Sequence, residues 1–466
     1  MTVALWWIRR DLRLHDNPAL RHALNKADHV VPVFVLDERL EQSEYLGAKR
    51  FAFLYGALRS LETDLRERGA RLILRRGTPI DALTKLVEET KASLIAVEED
   101  YSPYAIRRDA LIRSSLPLEP VSGTAIRPPG SVLKTDGSPY VVYTPFKNTW
   151  LDQSSLAEPL PAPDHIPTLG DVASESIPSE PILPASVPFP PSEDEARHRL
   201  DAFLADGLFQ YDQQRDRMAI DGTSRLSPYF RFGLLSAHEA ISRAFTTRDQ
   251  APSQEARDNA QVWISELIWR DFYIHILAQF PRVRQRSFRI EYDAIEWRNN
   301  ETEFVAWCEG RTGYPIVDAA MRQLVESGWM HNRARMIVAS FLVKDLLIDW
   351  RWGERFFMQH LVDGDPAANN GGWQWAAGTG TDAAPYFRIF NPTTQGKKHD
   401  PKGDYIRRWL PELREVPTNR IHQPATMTPM EQQAANCIIG QDYPAPIVDH
   451  KMARQRTLDA YKAVKA

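Results

Sequence analysis

Residues 3–20, VALWWIRRDLRLHDNPAL, read as a buried strand, a charged turn and the start of a helix. Val3–Ile8 is an uninterrupted apolar run, the pattern of a strand covered on both faces in a parallel sheet. Asp16-Asn17-Pro18 supplies a capping side chain followed by a proline at the first helical position. The pattern repeats outward. Val30–Val35, Leu72–Leu74 and Leu94–Val97 are further short aliphatic runs, separated by amphipathic stretches, and a long helix from about Ala48 should end at Gly69, a C′ glycine.

Residues 1–125 are therefore expected to form an α/β, Rossmann-like parallel-sheet domain. No G-x-G-x-x-G follows any of these strands, so nothing points to a dinucleotide site of that type here. Residues 151–192 hold ten prolines in 42 residues and no apolar period, which places a proline-rich connector over 126–192. From 193 to 466 strand signals nearly vanish. Asn259–Phe280, Val317–Glu326 and Arg333–Ile348 carry apolar residues three and four apart, so a large all-α domain is expected.

The 466 residues suggest two large domains or about three smaller ones. Two cysteines, Cys308 and Cys437, provide neither a disulfide framework nor a metal pattern, so a reducing compartment and no metal are expected. No run approaches the ~18 apolar residues of a membrane span. A cytoplasmic monomer is the expectation. A net charge of −4 makes no global case for nucleic acid, so such binding must rest on a local basic surface. Thirteen tryptophans stand out, and their placement matters below.

Several stretches carry chemistry. In QVWISELIWRDFY, residues 261–273, helical spacing places Trp263, Glu266, Trp269 and Arg270 near one another; on their own they read equally as a core stripe with an intrahelical ion pair. In GWMHNRARMIVASF, residues 328–341, Asn332 and Met336 share a face and Arg333 and Arg335 point elsewhere. In DGDPAANNGGWQWAAGTGTDAAPYFRIFNP, residues 363–392, paired aspartates, asparagines, glycines and tryptophans crowd together. Glycines admit a flat ligand close to the backbone, amides read a heteroaromatic edge, and carboxylates hold ribose hydroxyls or arginine. Gly222 to Ser227 offers hydroxyls, backbone N–H groups and Arg225, a set suited to pyrophosphate. Arg388, Lys397, Lys398, Lys402, Arg407 and Arg408 make the following segment locally positive against Asp400 and Asp404.

With WWIRRDLRLHDNPAL, DGTSRLSPYFRFG, ELIWRDFY, TGYPIVDAAMRQL, GWMHNRARMIVASFLVKDLLIDWRWGE and the 363–396 stretch in this order, the chain resembles the photolyase/cryptochrome flavoproteins. Within them it resembles the class I cyclobutane pyrimidine dimer photolyases. The resemblance implies an antenna-chromophore half and a helical half holding reduced FAD in a folded conformation. FAD would contact Tyr211, Thr223, Ser224, Arg225, Leu226, Ser227, Trp263, Glu266 and Arg270, together with Asn332, Arg335, Asp363, Asp365 and Asn369. Thr223–Ser227 and Arg270 would face the phosphates. Asp363 and Asp365 would face the adenosine and isoalloxazine region, and Arg335 would pair with Asp363. Asn369 would face flavin N5 and favour a fully reduced anionic flavin. Pro366 departs from the family's usual leucine.

The implied partner is UV-damaged DNA, with the dimer flipped into a pocket of Glu266, Trp269, Asn332, Met336 and Trp375, and Arg215, Arg333 and Arg388 toward phosphates. The resemblance makes Glu266 and Asn332 the residues at the reacting dimer, and Trp373, Trp350 and Trp297 a photoreduction chain. Met336 argues against the (6-4) branch, and His331 is not at that branch's catalytic position. The antenna follows from the same resemblance. Folate-binding relatives carry an Asn-Glu pair where this chain reads Glu98-Glu99, which disfavours methenyltetrahydrofolate. Phe34, Val35, Leu36, Arg50, Asp100, Arg108 and Arg231 instead resemble an 8-hydroxy-5-deazaflavin site. A repair-free cryptochrome is the alternative, disfavoured by the presence of both Trp269 and Trp375 and by the short segment after the repair core.

Overall fold

The computed structural model describes residues 1–464. They divide into two compact units, one made of residues 1–211, 224–281 and 362–367, the other of 212–223, 282–361 and the residues from 368 onward. This division differs from the expected break at 192/193. The first helix after the proline-rich stretch, Glu193–Ala202, packs against the helix Ala48–Glu67 of the α/β part.

In the first unit, β1 (Val3–Ile8), β2 (His29–Asp37), β3 (Ile73–Gly77), β4 (Leu94–Glu98) and β5 (Leu118–Val121) form one parallel sheet of order β3-β2-β1-β4-β5. All six residues of β1 are buried, as its uninterrupted apolar run requires. The chain winds from β1 outward through β2 and β3, then returns to β4 on the other side of β1. The carboxyl ends of β1 and β4 therefore flank the switch point where open α/β sheets hold ligands. β5 was not legible as a strand. It is a four-residue edge containing Glu119 and Pro120, and a proline is tolerated only at such an edge.

Helix α1 (Pro18–Lys26) starts as expected: the Asn17 side chain accepts from Leu20 N at 2.8 Å and Pro18 is the first helical residue. α2 (Ala48–Glu67) ends before Gly69, whose φ of +80° is the left-handed conformation glycine adopts without strain. Inside the expected connector lies a ten-residue helix, α3 (Tyr143–Asp152). Its docking partner is α4 (Gln254–Gln279). Asp271 of α4 is fully buried, and its two oxygens accept from Ile126 N, Arg127 N and Trp150 Nε1 at 2.9–3.1 Å.

The second unit is helical. α5 (Pro315–Ser327), α6 (Asn332–Ser340), α7 (Trp350–His360), α8 (Pro366–Ala377) and α9 (His450–Ala463) are the elements that matter here. α8 begins in the first unit and continues into this one. Pro366, the departure from the family pattern, is its first residue, where a missing N–H costs nothing. After Ser340 the helix passes into a π-helical turn, Phe341–Asp345. Ile316, Val317, Leu324, Ile337, Leu342 and Trp350 belong to the unit's apolar core.

Candidate functional site

In the first unit, the switch point carries buried charge. Arg10, just beyond β1, pairs with Asp365, and its other Nη atom lies 3.8 Å from Asp100, just beyond β4. Burial pushes the Asp100 carboxyl up, but Arg10 and Arg9 outweigh it and hold its pKa at about 2. Arg231 donates to Gly364 O at 2.8 Å; burial and the charge of Arg10 lower its pKa to about 9. Arg50 is lowered to about 10 by burial, against the pull of Asp363 and Asp365. Arg270 is lowered by burial too, and its Nη1 is buried with no hydrogen-bond partner. Arg10, Arg50, Arg231 and Arg270 thus face Asp100, Asp363 and Asp365, with Asp271 3.8 Å from Arg270 Nη1 and Glu98 acting on Arg10 and Arg270. A buried guanidinium nitrogen without a hydrogen-bond partner suits a bound anion such as a diphosphate.

The α4 residues fall in this unit. Trp263 is buried, with Nε1 3.4 Å from Ser224 Oγ. Glu266 and Trp269 are half-buried. Arg225 holds a left-handed backbone with φ +50°, unusual for a side chain of this size; Leu226 is buried and Ser227 exposed. Tyr211 is buried edge-on to Phe203, with 6.0 Å between ring centroids. The Asp365 carboxylate pairs with Arg10 and accepts from Ala367 N at 2.9 Å.

Phe34, Val35 and Leu36 sit on β2 toward its carboxyl end, and Arg108 lies 4.8 Å from the ring of Trp7 and 5.4 Å from that of Tyr104. Arg50 and Arg231 interact with the 363–365 loop, and Arg231 also with the charges of Arg50 and Asp100. Residues the sequence reading missed share the strand ends: Arg9, 4.8 Å from the Trp7 ring and paired with Asp109, and Tyr104, bonded to Asp37. Their position just past strands of a parallel sheet was the available signal. Glu98 is buried against Arg13 at 2.5 Å, so it serves the fold.

In the second unit, Asn332 is exposed and Met336 half-buried on α6, while Arg335 donates from Nε to Met330 O at 2.8 Å. His331 caps that helix, Nδ1 accepting from Arg333 N at 3.1 Å. Arg333, expected toward the DNA phosphates, makes a bidentate pair with Asp216 at 2.6 and 2.7 Å. Arg215 is half-buried; Arg388 is exposed, its guanidinium 5.8 Å from the Phe390 ring. Arg407 and Arg408 donate to backbone carbonyls, whereas Lys397, Lys398 and Lys402 are exposed.

Asn369 donates from Nδ2 to Glu354 O at 3.0 Å. Next to it, Asn370 and Gln374 both donate to Val283 O at 3.0 Å, fixing the rotation of α8. Trp373 is buried, its ring edge-on to Phe357 at 4.9 Å and lodged over Gly353, where a Cβ would lie 2.1 Å from the ring. Trp350 is buried in the same core, and half-buried Trp297 and Trp375 pack against it. The indole N–H groups of Trp373 and Trp350 have no acceptor. Among the described residues no group of three metal-ligating side chains comes together, and no helix is long and apolar enough to cross a membrane.

Residues 4–164 match the DNA photolyase family and residues 263–463 the FAD binding domain of DNA photolyase. The chain is 43% identical to the deoxyribodipyrimidine photo-lyase of Escherichia coli over 482 residues, covering 100% of this chain and 99% of that one. Among solved structures it is similar to a bacterial class III photolyase from Agrobacterium tumefaciens, with TM-score 0.93, 37% identity and coverage of 100% and 98%. It is also similar to an archaeal photolyase from Sulfolobus tokodaii containing two FAD molecules, with TM-score 0.83, 35% identity and coverage of 99% and 100%. Matches spanning both halves, at this identity over the full length, place the chain in the DNA photolyase family.

Proposed function

We propose that this photolyase repairs cyclobutane pyrimidine dimers, of the class I type, by flipping the dimer out of the helix and splitting it in light. That it is a light-dependent DNA-repair lyase with an FAD-binding domain follows from the family. Reduced FAD, when bound, supplies the electron that opens the cyclobutane ring and takes it back. The chain's own residues bind, orient and stabilise. Arg270 and Ser224, beside Trp263, would hold the diphosphate; the buried Nη1 of Arg270, which has no hydrogen-bond partner, is the observation that carries the reading. Thr223, Arg225, Leu226, Ser227, Tyr211, Asp363 and Arg335 complete the proposed FAD contacts.

Asn369 would meet the flavin edge. Its amide nitrogen is committed to a carbonyl, which can only accept, so the amide oxygen is left to accept from an N–H. Reduced flavin carries that N–H at N5. Glu266 and Asn332 would hydrogen-bond the dimer where negative charge develops, and Trp269 and Trp375 would stack on it. Flipping costs a few kcal/mol, least at a damaged step, and two stacking faces at about 1–3 kcal/mol each offset it. Met336 on the Asn332 face and His331 spent as a helix cap favour a cyclobutane dimer over a (6-4) lesion.

Trp373, Trp350 and Trp297 would carry electrons inward when the flavin is oxidised. An oxidised Trp373 or Trp350 finds no acceptor for its indole proton, so the hole stays mobile until it reaches half-buried Trp297. For the antenna we favour 8-hydroxy-5-deazaflavin over methenyltetrahydrofolate. Support comes from the engagement of Glu98 with Arg13, from Phe34–Leu36, Asp100 and Arg108 at the strand ends, and from a relative that takes a second tricyclic flavin. Action as a cytoplasmic monomer completes the reading.

The test is to purify the protein, record its visible spectrum, and assay dimer-containing and (6-4)-containing oligonucleotides in light and dark. Light-dependent repair of the cyclobutane dimer alone is expected. A protein that holds FAD and repairs neither would be a photoreceptor. Offered both antenna chromophores, it should retain the deazaflavin; recovery of folate alone would refute that part.

A further inference from the structure

Tyr143 of α3 lies flat on Trp269 of α4, with 3.6 Å between ring centroids and 10° between planes. Its hydroxyl donates to Ser265 O at 2.6 Å. In an α-helix that carbonyl also receives the amide of the residue four positions on, here Trp269. The phenol is thus anchored to the turn that carries the indole. Burial and the nearby charge of Glu266 both raise its pKa, so it remains a neutral donor. Phe272 meets the indole edge-on at 5.5 Å, and Tyr273 lies at 5.5 Å and 30°. Tyr143 is 6% exposed whereas Trp269 is half-buried, so the pair is ordered from behind and accessible in front.

We propose that Tyr143 is a positioning residue for damage recognition: it covers one face of Trp269 and fixes the plane on which a flipped pyrimidine stacks. This rests on the reading of Trp269 as a stacking platform. An indole free to change rotamer would have to be ordered on binding, and that cost would be subtracted from the stacking energy. Tyr143 removes it in advance. The rest of α3 is held independently, by Trp150 on Asp271 and by Phe146 against Phe272 and His275. Changing Tyr143 therefore leaves the docking of α3 in place.

The experiment measures binding of dimer-containing and undamaged duplex to the FAD-loaded protein, with flavin absorbance confirming the fold. Tyr143→Leu, which keeps apolar volume without a flat ring, should weaken dimer binding about three- to ten-fold. Binding of undamaged DNA and the repair rate at saturating substrate should hold. Tyr143→Phe should behave as the parent. In a Trp269→Ala background Tyr143→Leu should add nothing. If Trp269→Ala weakens dimer binding but Tyr143→Leu does not, or if the Leu effect persists in full without Trp269, the positioning role is overturned. If Trp269→Ala binds the dimer as the parent does, the platform reading falls and takes this inference with it.

Discussion

Arg333 and Asp216 form a bidentate ion pair, Nη2 lying 2.7 and 2.6 Å from the two carboxylate oxygens and Nε 3.0 Å from one of them. The guanidinium that the sequence offers to DNA already holds a counter-charge. Burial raises the Asp216 carboxyl, and hydrogen bonding and attraction from Arg333 more than reverse it.

The consequence is a measurable salt dependence. With Arg333 neutralised, Arg388 and the lysines at 397, 398 and 402 leave about four phosphates contacted, so log K against log salt should fall with a slope of roughly −3 to −4. Asp216→Asn releases Arg333 and should steepen the slope by about 0.9. A slope near zero would remove this surface from the DNA face, and an unchanged one would remove Arg333.

Trp375→Ala should weaken binding to dimer-containing DNA by about 1–3 kcal/mol and leave bound FAD in place, because one stacking face is lost. Undamaged DNA should bind almost as before. Gel-shift or anisotropy titrations with both duplexes decide it; equal dimer affinity for mutant and parent would take Trp375 out of the lesion site.

Replacing Trp350 by Phe keeps most of the buried volume and removes the readily oxidised indole. Light-driven reduction of oxidised FAD should slow sharply in this variant, while chemically pre-reduced enzyme still repairs. Transient absorption under blue excitation reads this directly, and unimpaired photoreduction would show that another route dominates.

Asp100 provides a pH test. Its carboxyl titrates at about 2 in the folded protein, below the unfolded value of roughly 3.9, so its contribution to stability is present above about pH 4 and lost as pH falls toward 2. Asp100→Asn should cost about 2 kcal/mol at neutral pH and flatten the acid limb of the stability curve. Urea midpoints at pH 7 and pH 3 measure it. An equal loss at both pH values would mean that packing, rather than charge, is what the substitution removes.

The sheet was legible because strands buried on both faces are uninterrupted apolar runs, and β1, β2 and β4 begin and end within two residues of those runs. β5 and α3 were not. Leu118–Val121 is short and broken by Glu119 and Pro120, and Tyr143–Asp152 has no clean apolar period; its place is set by Asp271, a carboxylate more than a hundred residues away. Trp263, Glu266, Trp269 and Arg270 could be read as one patch of a helix because neighbours three and four apart share a face.

The sequence by itself determined the residue types of the site, the two kinds of architecture and, through its ordered motifs, the family. Tertiary structure decided which of those groups are spent. Arg333 is neutralised from Asp216, Asp365 is drawn to Arg10, and Tyr143 comes to rest on Trp269. The physical reason is range. Periodicity carries information over one or two helical turns, whereas an ion pair or a ring stack between residues 117 or more apart depends on how whole elements pack.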